Sequence, residues 1–328
     1  MSTARATTHL SSLSTPDLLS MQDLSPAEVG SILNLAALVK ARPAKFRHAL
    51  EGKQMVLMFE KPSLRTRLTF EAGMGSLGGR SMFVDQTNSR IGARESLADV
   101  AHNLERWVDV IVLRTFEHKT VVDMAGYAAI PVINGLSELE HPCQALADYL
   151  TLQEKFQDLR RLRMAYVGDG NNVAHSLLLA AACLGSSLTV AVPKGYEPSA
   201  AILRAAREIA AETGAKIDLT HDPKAAVRGA DAVYTDVWAS MGQEAEQEKR
   251  AAIFAPFQVN ARLMALAASH AVFLHCLPAH RGLEVTDEVM DSPRSVVFDQ
   301  AENRLHVQKA ILLLLLGGNE NSKGSAHA

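Results

Sequence analysis

Short apolar runs, each closed by polar turn residues and separated by stretches of helical period, recur along the chain and constrain its fold more than any other feature. Strands buried on both faces read as near-continuous apolar runs, and helical crossovers between them make a parallel sheet. Strand expectations in the first half are Gln54–Phe59, Arg80–Val84, Asp109–Leu113 and Pro131–Asn134. In the second half they are Arg163–Val167, Leu188–Val192, Lys216–Leu219, Asp231–Thr235, Ala271–His275 and Ser295–Phe298. A helix over about 26–41 is signalled by Ser25, with Pro26 at its first position and Glu28 completing a capping box. Leu97, Val100, Ala101, Leu104 and Trp107 fall on one helical face and read as core.

The βα alternation breaks over residues 135–162, where a helix opening at Pro142 runs into the charged stretch Glu154–Arg163. At 328 residues the chain can bury two cores. The expected fold class is α/β, with two domains, each a parallel sheet flanked by helices, joined by interdomain helices. The first domain spans 1–145 and the second 146–300, with a C-terminal segment 301–328, helical over Ala301–Leu316, packing back on the first.

Composition removes several classes. A formal charge of −3 offers no excess of positive charge to a nucleic acid. Cys143, Cys183 and Cys276 are too few and too scattered for a disulfide framework or a four-ligand zinc site, so no metal and no cofactor are expected. The run Ile311–Leu316 is too short to cross a bilayer, and the first twenty residues lack the basic start and apolar run of a secretory signal, so no membrane partner and a cytoplasmic location are expected.

Polar clusters follow the expected strands: Ser63–Arg67, Arg114–Thr115, His141–Gln144, Gly168–Asn172, Asp236–Gly242 and His275–Pro278. Ligands of open parallel sheets bind outside the carboxyl ends of the strands, so these segments should meet in one crevice. Ser63 can cap a helix whose first turn carries Arg65 and Arg67, at the end where the helix dipole disfavours cations. A phosphate held by free backbone N–H groups, hydroxyls and Arg65 reverses that penalty; a solvated helix start is the plainer reading. Pro142 is ordinary helix punctuation, whereas His141 and Gln144 are not needed for it and can bind a carbonyl or amide. Arg114 closes an expected buried strand, and Asn172 can serve a zwitterion. A lone thiol such as Cys276 is more often inert core. Gly168-Asp169-Gly170-Asn171-Asn172-Val173 fails as a dinucleotide fingerprint because Val173 stands where the third glycine is required.

Together the segments from Phe59-Glu60-Lys61-Pro62-Ser63 to Glu302-Asn303-Arg304-Leu305-His306 resemble the aspartate/ornithine carbamoyltransferase family. The phosphate loop reads Ser63-Leu64-Arg65-Thr66-Arg67, with Leu64 in place of the family's threonine. The His-Pro-x-Gln and His-Cys-Leu-Pro signatures stand at His141–Gln144 and His275–Pro278, and the loop that selects ornithine over aspartate is present as Asp236, Ser240, Met241 and Gly242. The resemblance implies transfer of the carbamoyl group of carbamoyl phosphate to the δ-amine of L-ornithine, giving L-citrulline and phosphate, in arginine synthesis or in reverse. It implies that Ser63, Leu64, Arg65, Thr66, Arg114, His141, Gln144, Cys276, Leu277 and Arg304 hold carbamoyl phosphate, and Arg90, standing where the family often has a glutamine that reaches a neighbouring subunit's site, can contact the phosphate there. Asn172, Asp236, Ser240 and Met241 would hold ornithine, and Arg65, Arg114, His141, Asp236 and Cys276 would carry catalysis. Cys276 is implied beside the δ-nitrogen as an orienting or proton-accepting thiolate, the Leu277–Pro278 bond as cis, and the assembly as a homotrimer or a higher assembly of trimers. Alternatives are N-acetylornithine, N-succinylornithine or putrescine as acceptor, a dinucleotide-dependent oxidoreductase, and a catalytically silent binding homologue.

Overall fold

The computed structural model describes residues 13–239 and 247–317. Helix α1 (Pro26–Ala41) starts as its sequence dictates: the Ser25 side chain accepts from the Glu28 amide while Glu28 accepts from the Ser25 amide at 2.8 Å. In chain order follow β1 (Gln54–Phe59), α2 (Leu64–Ser76), β2 (Arg80–Asp85), α3 (Leu97–Leu104), β3 (Val110–Arg114), α4 (His118–Tyr127), β4 (Val132–Leu136) and α5 (Pro142–Phe156). All pairings in this sheet are parallel, in the order β2-β1-β3-β4.

The second half runs β5 (Arg163–Val167), α6 (Asn172–Leu184), β6 (Ser187–Ala191), α7 (Ala200–Thr213), β7 (Ile217–Thr220), α8 (Pro223–Val227), β8 (Ala232–Thr235), α9 (Gln247–Phe254), α10 (Ala261–Met264), β9 (Val272–His275), α11 (Asp287–Met290) and α12 (Val297–Gly317). Its sheet is also parallel, in the order β7-β6-β5-β8-β9. The expected α/β class with two helix-flanked parallel sheets is therefore the observed one.

One apolar cluster runs through both halves, because α1, α5, α6 and α12 all bury side chains in it. The Ile311–Leu316 run of α12 is part of that cluster, and α12 packs on α1, α2 and α5. The expected division between residues 145 and 146 falls inside α5, which packs against α12, α1 and α6. No helix among the described residues is long and apolar enough to cross a membrane.

Two local expectations are corrected. Ser295–Phe298 is not a strand: Ser295 makes one isolated bridge to Phe273, and from Val297 the chain is already α12. An apolar run this short does not distinguish strand from buried helix start. The stripe beginning at Leu97 stops at Leu104, where α3 ends, so Trp107 stands 66% exposed rather than in the core.

Candidate active site

The strand order reverses between β1 and β3 in the first sheet and between β5 and β8 in the second. At such switch points neighbouring crossovers leave on opposite faces and open a crevice at the carboxyl ends of the strands. The segments leaving these four strands, joined by the start of α5, the turn after β9 and Arg304 of α12, line a single cavity of about 450 Å³.

One wall is cationic. Ser63 caps α2, its hydroxyl accepting from the Thr66 amide at 3.2 Å, so the free N–H groups of the first turn lie at the cavity edge. Arg65 lines the cavity, whereas Arg67 turns away to Glu71 at 3.2 Å and stacks over the Phe83 ring. Arg114 is the last residue of β3 and is buried. Arg304 reaches in from α12, donating to Thr66 Oγ1 at 2.8 Å and to Gln144 Oε1 at 2.7 Å, with His141 Nε2 at 3.3 Å from its Nη1. An arginine can only donate, so His141 Nε2 accepts and its proton sits on Nδ1, which has no partner among the described residues. Burial, then the cations Arg304, Arg114 and Arg65, hold the His141 pKa well below the usual imidazole range. Burial first, then Arg304 and Arg65, push Arg114 down to about 9, still charged at neutral pH. This wall is thus strained by like charge and by desolvation, and a bound dianion relieves both.

The facing wall carries the acid. Asp236 follows β8 and is buried; its Oδ2 accepts from Asn171 Nδ2 at 2.7 Å, and its Oδ1 from the Val237 amide at 2.8 Å and from the Cys276 thiol at 2.9 Å. Asn172 begins α6 and donates to the Ser137 carbonyl at 2.7 Å. Burial first, then the Asp236 charge, raise the Cys276 pKa well above the usual thiol value. In this arrangement Cys276 stands as a thiol donating to the carboxylate, in contrast to the thiolate the resemblance implies. Asp236, His275 and Cys276 bring ligand-type atoms within 4.8 Å of one another. Both ring nitrogens of His275 are engaged, however, Nδ1 accepting the Leu277 amide at 2.9 Å and Nε2 meeting Glu284 at 3.2 Å. The ring braces the turn that aims Cys276, and the Leu277–Pro278 bond within that turn is cis.

Of the expected site residues, Ser63, Leu64, Arg65, Arg114, His141, Gln144, Asn172, Asp236, Cys276, Leu277 and Arg304 all line the cavity. Thr66 is buried behind it, under Arg304. Arg90 does not reach the cavity of its own chain; it pairs with Glu117 at 2.8 Å on an exposed loop. Ser240, Met241 and Gly242 lie outside the described residues. Sequence reasoning passed over Lys61, which lines the same cavity with its ammonium over the Phe116 ring. Its place directly before Pro62-Ser63 was the available signal. It also passed over Asn171, whose amide holds Asp236. The glycine-rich loop after β5 has a plain structural cause: a Cβ on Gly170 would lie 2.3 Å from the Pro198 nitrogen, so residues 196–198 can close against it only because it has none.

The family pattern described as "Aspartate/ornithine carbamoyltransferase, carbamoyl-P binding domain" matches residues 16–154, and its "Asp/Orn binding domain" matches residues 160–315. The ornithine carbamoyltransferase of Pyrococcus abyssi is 52% identical over 309 residues, covering 94% of this chain and 98% of that protein. That of Bacillus subtilis is 50% identical over 307 residues, covering 94% and 96%. The solved ornithine carbamoyltransferase from Pyrococcus furiosus superposes with a TM-score of 0.91 at 51% identity, covering 94% of this chain and 99% of that one.

Proposed function

The chain belongs to the aspartate/ornithine carbamoyltransferase family, and on that premise we propose that its interdomain cavity moves the carbamoyl group of carbamoyl phosphate to the δ-amine of L-ornithine. The products are L-citrulline and phosphate, and the enzyme is a transferase. The observation that carries this reading is the opposition of a cationic wall, the buried Arg114 and Arg304 with the half-buried Arg65, to a wall bearing Asp236 and Cys276 across one cavity.

The phosphate sits at the start of α2, on the free N–H groups, the Ser63 hydroxyl and Arg65. Arg114, Gln144 and the neutral His141 receive the carbamoyl group, and negative charge developing on its oxygen faces guanidinium groups out of bulk water. The acceptor must attack as a free amine, and an amine of lysine type has a pKa of about 10.4, so reaching that form at pH 7 costs roughly 4–5 kcal/mol. The neighbouring cations lessen this cost by disfavouring an ammonium. Asp236 does the opposite, which suits it to hold the α-amino group instead. Asn172 belongs with it on the amino-acid end, together with Ser240 and Met241. The δ-nitrogen attacks the carbamoyl carbon, the C–O bond to phosphate breaks with its electron pair left on phosphate, and the proton shed by nitrogen leaves with phosphate or solvent. Cys276 acts as a protonated thiol that orients Asp236 and the incoming nitrogen.

The same reading takes residues 1–145 with 301–328 as the carbamoyl-phosphate half and 146–300 as the acceptor half, in a cytoplasmic homotrimer or an assembly of trimers in which Arg90 serves a neighbouring subunit. Exposed Leu64, Leu68 and Met82 on α2 and β2 support an interface on that side. The deciding experiment mixes purified protein with carbamoyl phosphate and, separately, ornithine, N-acetylornithine, N-succinylornithine or putrescine, and measures released phosphate and carbamoylated product. Turnover with ornithine alone is expected; phosphate release only with another amine reassigns the acceptor, and none with any amine rejects the reading.

A further inference from the structure

On the reading of the cavity given above, we propose that Asp148 is a positioning residue for the transfer reaction, the shared acceptor that fixes the Gln144 amide on the carbamoyl side and the His275 turn on the acceptor side in one hydrogen-bonded frame. Asp148 is fully buried in α5 and does not line the cavity. Its Oδ1 accepts from Gln144 Nε2 at 2.7 Å and from Gln300 Nε2 at 2.6 Å. Gln144 stands one turn before it on α5, as Gln300 stands one turn before Arg304 on α12, and the two helices pack together. Each amide is engaged at both ends. Gln144 Oε1 takes the Arg304 guanidinium, and Gln300 Oε1 takes the His275 amide at 3.0 Å. An acid at one end and a cation at the other leave the Gln144 amide a single orientation, because turning it over would oppose donor to donor and acceptor to acceptor. Gln300 likewise ties the residue that opens the Cys276 turn to the same carboxylate oxygen.

A carboxylate in a core costs folding free energy that an apolar residue of similar size does not. What Asp148 supplies is geometry at both walls at once, since its two donors lead to Arg304 and Thr66 in one direction and to His275 and Tyr234 in the other.

The test compares Asp148→Ala, Asp148→Asn and Gln300→Met with the unaltered protein, reading kcat, KM for each substrate, melting temperature, and carbamoyl phosphate stoichiometry by calorimetry. Loss of the shared acceptor is expected to lower kcat of Asp148→Ala about 10- to 100-fold, with carbamoyl phosphate KM moved less than about threefold because Ser63 and Arg65 are untouched. Asp148→Asn, whose amide oxygen can accept the same two N–H groups, is expected to return kcat to within about fivefold of the unaltered protein. A folded Asp148→Ala protein with kcat within about threefold, or an Asp148→Asn protein no better than Asp148→Ala, overturns the proposal. If Asp148→Ala does not fold, Gln300→Met decides: a kcat drop of at least about tenfold is expected, and an unchanged kcat overturns the proposal. Failure of the unaltered protein to make citrulline strikes the reading of the cavity instead, so the two failures are distinct.

Discussion

Arg304→Lys keeps a buried positive charge while removing the guanidinium fork that bridges three groups. In the structure the fork donates to Thr66 Oγ1 at 2.8 Å and to Gln144 Oε1 at 2.7 Å, with His141 Nε2 at 3.3 Å. An ammonium is a single point donor on a flexible stem and cannot span both near acceptors in one geometry. It keeps one charge-assisted bond and loses another, each worth about 1.5–3 kcal/mol, and leaves a buried acceptor unsatisfied. Since His141 and Gln144 are among the groups proposed to receive the carbamoyl group, the loss should appear in the transition state as a fall of roughly 10- to 150-fold in kcat/KM for carbamoyl phosphate. The assay is initial-rate citrulline formation at saturating ornithine, with melting temperature recorded alongside. A variant that melts normally and keeps kcat/KM within about threefold would refute the claim that this fork organises the wall.

Arg65→Ala should abolish measurable heat on adding carbamoyl phosphate and nearly all turnover; normal kinetics would reject the assignment of α2's start as the phosphate site. Because the Cys276 pKa lies above that of a free thiol, its thiolate fraction is smaller at every pH below that value. Alkylation of Cys276 by iodoacetamide at pH 8 should therefore run at least about tenfold slower than that of free cysteine, rising with pH; equal rates would restore the thiolate. Burial raises Cys143 to about 12 and Cys183 to about 11, so neither should compete for label. Gly170→Ala forces a methyl against backbone at 2.3 Å and should cost about 1–3 kcal/mol in thermal stability, with ornithine KM raised; an unchanged melting curve would show that residues 196–198 move freely.

Much of this site was legible because parallel sheets translate sequence position into spatial position. Once β1, β3, β5 and β8 were read from their apolar runs, Ser63, Arg114, Asn172 and Asp236 had to emerge on one side. Ends of elements were less legible. Ser295–Phe298 carries a strand's composition, but Phe298 is 72% exposed at the start of a helix, and nothing local separates the two. Protonation states were not legible at all: Cys276 keeps its proton because Asp236, forty residues earlier, is its neighbour in space. Asp148 escaped notice for the opposite reason, as its one-turn spacing from Gln144 also suits a solvated helix face.

The last long helix supplies one of the cations that the phosphate half of the cavity depends on. Domains tend to fold as synthesis delivers them, first segment first. Both sheets are complete in the chain by His275, yet Arg304 and Gln300 arrive only with α12. A ribosome-bound polypeptide that has formed the nine strands of the described residues still lacks both side chains, and a chain cut short before Val297 would bring its substrates' walls together without the residues that join them.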